Sequence, residues 1–363
     1  MPKNHGRFRT SSIALGAPAG LATIATLLGC AGCPVRAPAP GAIGWVVGEQ
    51  RSLDSLTAHG AALSVVSPAD YRVALADDGT TRIEGWWPLP AVDQRRVRAL
   101  ARERGVPLVP LLSCFDGCAK ALGPRLADGA FRRRHIARIV RLVQTEHLDG
   151  VFIDYEGLRC PAAAFSALVG ELGQALHRKR SALGVAVPID SAGKPDRAYD
   201  LRALAHQADY LALMAYDYRV DGSDAVAPRA WLVELLRMVR ARLPRRWRSV
   251  YVGVPLYGRL SAGLAPRTDV LWRDLRRGTI DGQPVRVGRP RFDPAKLSRV
   301  ATVRYGKDQR AGQVHFQDHT TVAARLRVIS EAGFRRVAVW RLGGEDPELW
   351  AVLRRWLEAR RGQ

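Results

Sequence analysis

The chain has 363 residues, 47% of them hydrophobic and 25% charged. That composition excludes wholesale disorder and a polytopic membrane protein, and the length suits two domains or one large one. Lys and Arg number 56 against 34 Asp and Glu, a formal charge of +22. Such an excess suits a polyanionic partner: nucleic acid, anionic lipid headgroups or an acidic cell-wall polymer. The arginines are spread along the chain, as in residues 240–248 and 354–361. No basic stripe interleaved with aromatics and no nucleic-acid-binding motif appears, so the expectation is a solvated basic surface and no nucleic-acid partner.

Residues 1–12 carry Lys3, Arg7 and Arg9 without an acid, and residues 13–29 run apolar and small. A positive segment followed by a short apolar one reads as an export signal, too short for a stable membrane anchor. It closes on Leu27-Leu28-Gly29-Cys30, which resembles a bacterial lipobox whose cysteine is lipidated. The expectation is therefore a signal over 1–29 and a lipidated Cys30 opening a Pro-rich tether over 30–41. Cys33 lies close by, and a conventional signal cleaved near Ala31 or a retained anchor are the alternatives. Ala31, after the lipobox, points by analogy to a Gram-negative outer membrane or periplasmic face. Export permits a disulfide among Cys114, Cys118 and Cys160. Both Cys118–Cys160 and Cys114–Cys118 are conceivable, and their spacing is not that of a zinc site.

Beyond the tether, eight apolar runs recur: 42–47, 62–67, 107–113, 150–155, 183–188, 209–216, 250–256 and 336–342. Near-continuous apolar runs suit strands buried on both faces, hence a parallel sheet. Helical spacing falls between them, over 92–104, 132–146, 162–179, 230–243 and 320–332, with Gly105 and Gly333 where helices should stop. Eight strand–helix units predict a (β/α)8 TIM barrel over 42–363. The rival, a doubly wound open sheet, lacks a GxGxxG after its first strand. The crossover between the seventh and eighth strands is too long, and residues of about 259–316 read as a small insertion.

In a barrel, polar residues at the C-terminal strand ends line the active site. The fourth run ends Asp154-Tyr155-Glu156. Residues two apart on a strand face the same way, which aims Asp154 and Glu156 into the barrel roughly 7 Å apart. Burial and mutual repulsion then keep a proton on one of them at neutral pH, as a general acid requires. The bland alternative is a pair of carboxylates satisfied by barrel arginines.

The segment Asp149-Gly150-Val151-Phe152-Ile153-Asp154-Tyr155-Glu156 resembles the DGxDxDxE signature of family 18 glycoside hydrolases, the chitinases and their relatives. Leu213–Tyr218 resembles that family's MxYD element, and Gly253–Arg259 its GxPxYG element. Val339–Asp346 resembles the eighth-strand segment of the branch holding bacterial spore-cortex and cell-wall N-acetylglucosaminidases. The resemblance spans residues 42–357. It implies a retaining, substrate-assisted hydrolysis, an exception to the usual two-carboxylate scheme. Glu156 is then the acid, Asp154 the partner of the substrate's acetamido N–H, and Tyr216 the donor to the acetamido oxygen. Trp340 provides the aromatic floor, and Asp217 binds a nearby hydroxyl. Met214, Tyr155, Asp116, Phe115 and Trp45 complete the expected substrate-binding set. No metal and no other cofactor is expected.

Two departures stand out. Phe152 occupies the place of the first Asp of the DxDxE part of the signature, or of Asn in the cell-wall branch, and cannot hydrogen-bond Asp154. The third strand ends Ser113-Cys114-Phe115-Asp116-Gly117 instead of SxGG. The expected activity is cleavage of β-1,4-linked N-acetylglucosamine glycans by a monomer, with peptidoglycan favoured over chitin. A non-cleaving chitinase-like lectin is the second reading, and Phe152 its main support. A lipid-anchored structural protein is the third, and leaves Asp154, Glu156 and Tyr216 unexplained.

Overall fold

The computed structural model describes residues 41–361 apart from 77, 220–224, 262 and 265–268. The expected export signal, Cys30 and Cys33 lie outside the described residues. Among those described, no helix is long and apolar enough to cross a membrane.

Eight parallel strands make the core: β1 Ala42–Val46, β2 Val65–Pro68, β3 Leu111–Cys114, β4 Gly150–Tyr155, β5 Ala182–Pro188, β6 Tyr210–Met214, β7 Val250–Pro255 and β8 Val337–Trp340. Each pairs in parallel with its neighbour from β3 round through β8 and β1 to β2. Closure comes from Val66, whose N–H donates to the Pro107 carbonyl (3.0 Å) and whose carbonyl accepts from Val109 (2.9 Å). The third apolar run thus serves both neighbours by turning at Pro110. Its first half meets β2, and its second half, as β3, meets β4. The structure is a (β/α)8 barrel.

Alternation along the strands divides the apolar side chains between two cores. Inward residues, among them Ile43, Val65, Leu111, Phe152, Tyr210 and Tyr251, fill the barrel. Outward residues pack against the helices, for example Ile153, Val185 and Val252 against Phe165, Leu172 and Leu326. The helices start and stop where local chemistry dictates. Asp318 caps His319–Glu331 through a reciprocal pair with Thr321. Gly105 and Gly333 follow their helices at φ +59° and +87°, a region that favours glycine.

Two elements ride on the barrel. A hairpin, Tyr71–Leu75 with Thr81–Gly85, extends the sheet beside β3; the sequence reading had no element there. Between β7 and helix His319–Glu331, residues 257–316 build an antiparallel sheet with a core of its own around Leu260, Val303 and Val314. Its first strand, Tyr257–Leu260, runs on directly from β7. Gly258 permits the close crossing, since a Cβ there would lie 1.7 Å from the His315 carbonyl oxygen. The insertion therefore starts at the rim of the barrel mouth.

Candidate active site

β4 delivers the reactive pair. Asp154 points into the barrel and is 6% exposed. Ser113 on β3, its register partner, donates to its Oδ2 at 3.0 Å, while Oδ1 has no hydrogen-bond partner among the described residues. Burial lifts this carboxyl to about 6 against the opposing pull of Ser113. Glu156 sits one residue past β4, its backbone N–H tied to the Cys114 carbonyl at 2.8 Å. Burial, then the charges of Asp154, Asp217 and Asp116, push it up to about 8. Burial and mutual repulsion thus raise both carboxyls, which favours a proton held by the pair.

Beneath the pair, Phe152 is fully buried. Its ring lies 5.0 Å from Trp45, edge-on, and 5.6 Å from Tyr210, stacked. Gly184, opposite it on β5, makes the room, because a Cβ there would stand 2.3 Å from the ring. The polar position of the signature has become part of an apolar floor, and Asp154 is oriented from β3 instead.

The opposite side of the mouth comes from β6, β7 and the insertion. Tyr216, 7% exposed, packs edge-on against Tyr257 at 6.1 Å. Gly253 clears space for it, since a Cβ there would approach the Tyr216 ring to 2.7 Å. Burial and the charges of Asp154, Asp217 and Glu156 hold the Tyr216 phenol well above its ordinary range, so it remains a donor. Asp217 adopts φ +59° and accepts from Tyr257 (2.7 Å) and Arg259 (2.9 Å). Arg259 also pairs with Asp269 and lies against the Tyr257 ring. Burial raises the Asp217 carboxyl, with Arg259 and Tyr257 acting in the other direction.

The remaining expected residues divide. Trp340 ends β8 half-buried, followed by a cis peptide to Arg341. Met214 ends β6 half-buried. Phe115 is half-buried, and Asp116, exposed at φ +52°, starts the helix Asp116–Arg125. Cys114 and Cys118 are bonded across this turn, leaving Cys160 a free thiol.

Two expectations need correction. Tyr155 faces the helices, because alternation turns it away from Asp154 and Glu156; it is buried and its hydroxyl bonds His135 at 2.8 Å. Trp45 is 3% exposed, lying below Trp340 in the barrel interior. Neither can touch a substrate at the mouth. Ser113, Tyr257, Arg259 and Asp269 were missed as site residues. Of these, Tyr257 and Arg259 lay within a recognised motif, and Asp269 had no local signal.

One group of described residues has ligand-like spacing: Asp318, His319 and Asp346. Their atoms already have protein partners. Asp318 accepts from Thr321 and Arg299, and Asp346 accepts from the backbone N–H and the ring Nδ1 of His319. The group latches the helix His319–Glu331 to the segment after β8.

A closed parallel barrel with two raised carboxyls at the C-terminal end of its fourth strand has the groups that acid–base hydrolysis needs. The chain belongs to the glycosyl hydrolases family 18, whose sequence profile matches residues 118–345, and is a glycosidase. It is 24% identical over 247 residues to the cortical fragment-lytic enzyme of Bacillus subtilis, covering 63% of this chain and 54% of that enzyme. Among solved structures it resembles a chitinase from Chromobacterium violaceum (TM-score 0.71, 24% identity, 88% of this chain and 99% of that one). It also resembles the spore cortex-lytic enzyme SleL of Bacillus megaterium (TM-score 0.69, 17% identity, 86% and 73%). These structural likenesses show the shared fold.

Proposed function

We propose that the protein is a retaining, substrate-assisted glycosidase that cleaves β-1,4-linked N-acetylglucosamine glycans, peptidoglycan in preference to chitin. The observation that carries this reading is a buried Asp154 with one unpartnered oxygen beside Glu156, whose carboxyl is raised by burial and by the neighbouring Asp154, Asp217 and Asp116. Glu156 protonates the glycosidic oxygen as the bond to the anomeric carbon breaks. The acetamido oxygen of the same sugar closes on that carbon, forming an oxazolinium ring. Asp154 Oδ1 accepts the acetamido N–H, and Tyr216 donates to the acetamido oxygen. Water then opens the ring, with the Glu156 carboxylate taking its proton. These groups meet charge that develops only in the transition state, which is where prepositioned dipoles act most strongly.

Peptidoglycan is supported by the cortex-lytic relatives, the charge of +22 and the export signal expected at the N-terminus. The same reading places the protein in the cell envelope as a monomer, held to the membrane through a lipid on Cys30. The lectin reading draws on Phe152, which gives Asp154 no hydrogen bond. The test compares wild type with Glu156→Gln on chitooligosaccharides and purified peptidoglycan, counting new reducing ends. We expect wild-type cleavage to fall about 10²–10⁴-fold in the variant, with oligosaccharide affinity retained. Binding without cleavage by the wild type would establish the lectin.

A further inference from the structure

The two ends of the barrel differ in charge. Asp116, Asp154, Glu156 and Asp217 stand at the carboxyl ends of β3, β4 and β6. At the amino ends the helices finish and the chain turns back into each strand. The segments entering β5 and β7 read Arg178-Lys179-Arg180 and Arg242-Leu243-Pro244-Arg245-Arg246-Trp247-Arg248, without an acid. β5, β6, β7, β8 and β1 are successive neighbours, so these segments share one side of that end.

Hydrogen bonds join the segments into one surface. The Arg246 guanidinium donates to the Ala205 carbonyl ahead of β6 (2.8 Å), Arg240 to Ala332 ahead of β8 (3.1 Å) and Arg336 to Ser249 (3.4 Å). Trp247 is buried, with the guanidinium carbons of Arg240 and Arg248 at 4.8 and 4.5 Å from its ring. Cations near helix ends complement the helix dipole and bond its last carbonyls, which accounts for the bonded arginines. Arg178, Lys179, Arg180, Arg242 and Arg245 are different. Their side chains are exposed and, among the described residues, make no hydrogen bond or ion pair. The acids of the segments entering β5 to β8 are Asp209 and Glu331. Asp209 is buried against His177 and the Leu183 N–H, and Glu331 faces Arg229 (3.9 Å). Like charges gathered without counter-charge repel one another, a cost that an anionic surface relieves.

Gly41 points to the occupant. Its carbonyl accepts from the Val337 N–H (3.2 Å), next to Arg336, so the chain from Cys30 joins the barrel at this basic end. The tryptophan and phenylalanine of these segments, Trp247 and Phe334, are buried, which leaves neither ring for a nucleic-acid base to stack on.

We propose that the arginine-rich amino end of the barrel docks on the anionic headgroups of a phospholipid bilayer and turns the mouth away from the membrane. The face lies at the opposite end of the barrel from Glu156, so the proposal goes beyond the glycosidase reading and does not depend on it. A lipid on Cys30 would hold the chain at the same end, and the face of charges would set its orientation.

The test is sedimentation of the full chain carrying Cys30→Ser with vesicles of phosphatidylcholine, alone or mixed with phosphatidylglycerol. The chain should bind the mixed vesicles more tightly, and the difference should shrink as salt rises. Arg178→Gln, Lys179→Gln and Arg180→Gln together should lower partition onto mixed vesicles about a hundredfold, and Arg242→Gln with Arg245→Gln about thirtyfold. Arg242→Lys with Arg245→Lys should retain binding, since the attraction needs charge and not the guanidinium fork. Arg286→Gln, Arg289→Gln and Arg291→Gln remove three exposed charges from the insertion and should change partition little. The melting temperature should match that of the starting chain in each variant, because all these side chains are exposed. Equal binding to both kinds of vesicle, or an equal loss in the insertion variant, overturns the docking face. Binding to heparin with none to the mixed vesicles overturns it in favour of a soluble polyanion.

Discussion

On the β4 side of the mouth, Asp154 accepts one hydrogen bond and keeps an oxygen unpartnered, whereas on the β6–β7 side Asp217 is gripped by Tyr257 and Arg259. Burial raises both carboxyls. On the β6–β7 side, a buried arginine shared with Asp269 opposes that effect, and Asp217 becomes a fixed acceptor. On the β4 side, among the described residues, the groups acting on Asp154 and Glu156 are Ser113 and other carboxyls, with no cation among them. Burial without a paired cation instead raises both Asp154 and Glu156, the groups to which the proposed mechanism gives the acceptor and acid roles. A buried carboxylate can thus be made rigid by pairing or reactive by withholding a pair, and one barrel mouth does both.

The comparison can be broken most severely at Arg259. Replacing it with Ala leaves Asp217 and Asp269 facing each other without their shared cation. Because both carboxylates are partly exposed, we expect a stability loss of about 2–4 kcal/mol in denaturant unfolding. Asp217→Asn, which keeps the hydrogen-bonding shape, should cost far less; equal losses would mean that Arg259 acts mainly by packing.

The apolar floor under Asp154 is the next point of attack. Gly184→Ala drives a methyl into the Phe152 ring and should cost about 1–3 kcal/mol. Phe152→Asn removes the ring and offers Asp154 a hydrogen bond, so turnover should rise about tenfold while stability falls through the cavity left behind. Combined, the two substitutions should be less destabilising than their sum, because the methyl occupies vacated space. Additive losses would show that the floor relaxes independently of residue 184. Lower turnover with weaker binding in Phe152→Asn would favour the lectin.

The smallest effect sharpens the electrostatic side of the contrast. The folded values of Asp154 and Glu156 lie above their unfolded ones, so the folded state binds more protons between ordinary carboxylate values and about 8. Stability from this source is complete at low pH and is lost as pH rises through about 6 and then about 8. The melting temperature should therefore fall by roughly a few degrees between pH 6 and pH 9. Glu156→Gln should remove most of that slope. A slope equal to that of the wild type would place the titrating group elsewhere.

Much of the fold and part of the site were legible in the chain itself. The eight apolar runs marked the barrel strands, because burial on both faces leaves a continuous apolar signature. The parity of β4 showed that Asp154 and Glu156 share a face. That same parity turns Tyr155, a member of the expected substrate-binding set, toward the helices. The hairpin before Trp86 escaped notice because Tyr71–Leu75 and Thr81–Gly85 are short and partly exposed, with the periodicity of neither a buried strand nor a helix.

The sequence by itself determined the barrel, the reactive pair and the loss of a polar group at Phe152. These are properties of single segments, expressed in strand periodicity and motif spacing. Only the tertiary structure decided that Ser113 orients Asp154, that Gly184 accommodates Phe152 and that Arg259 holds Asp217 against Asp269. It also chose Cys114–Cys118 over the alternative pairing and brought Arg341 behind Trp87. Each of these depends on which side chains face one another after the chain has closed into a barrel. Register and packing set that, and no local pattern encodes it.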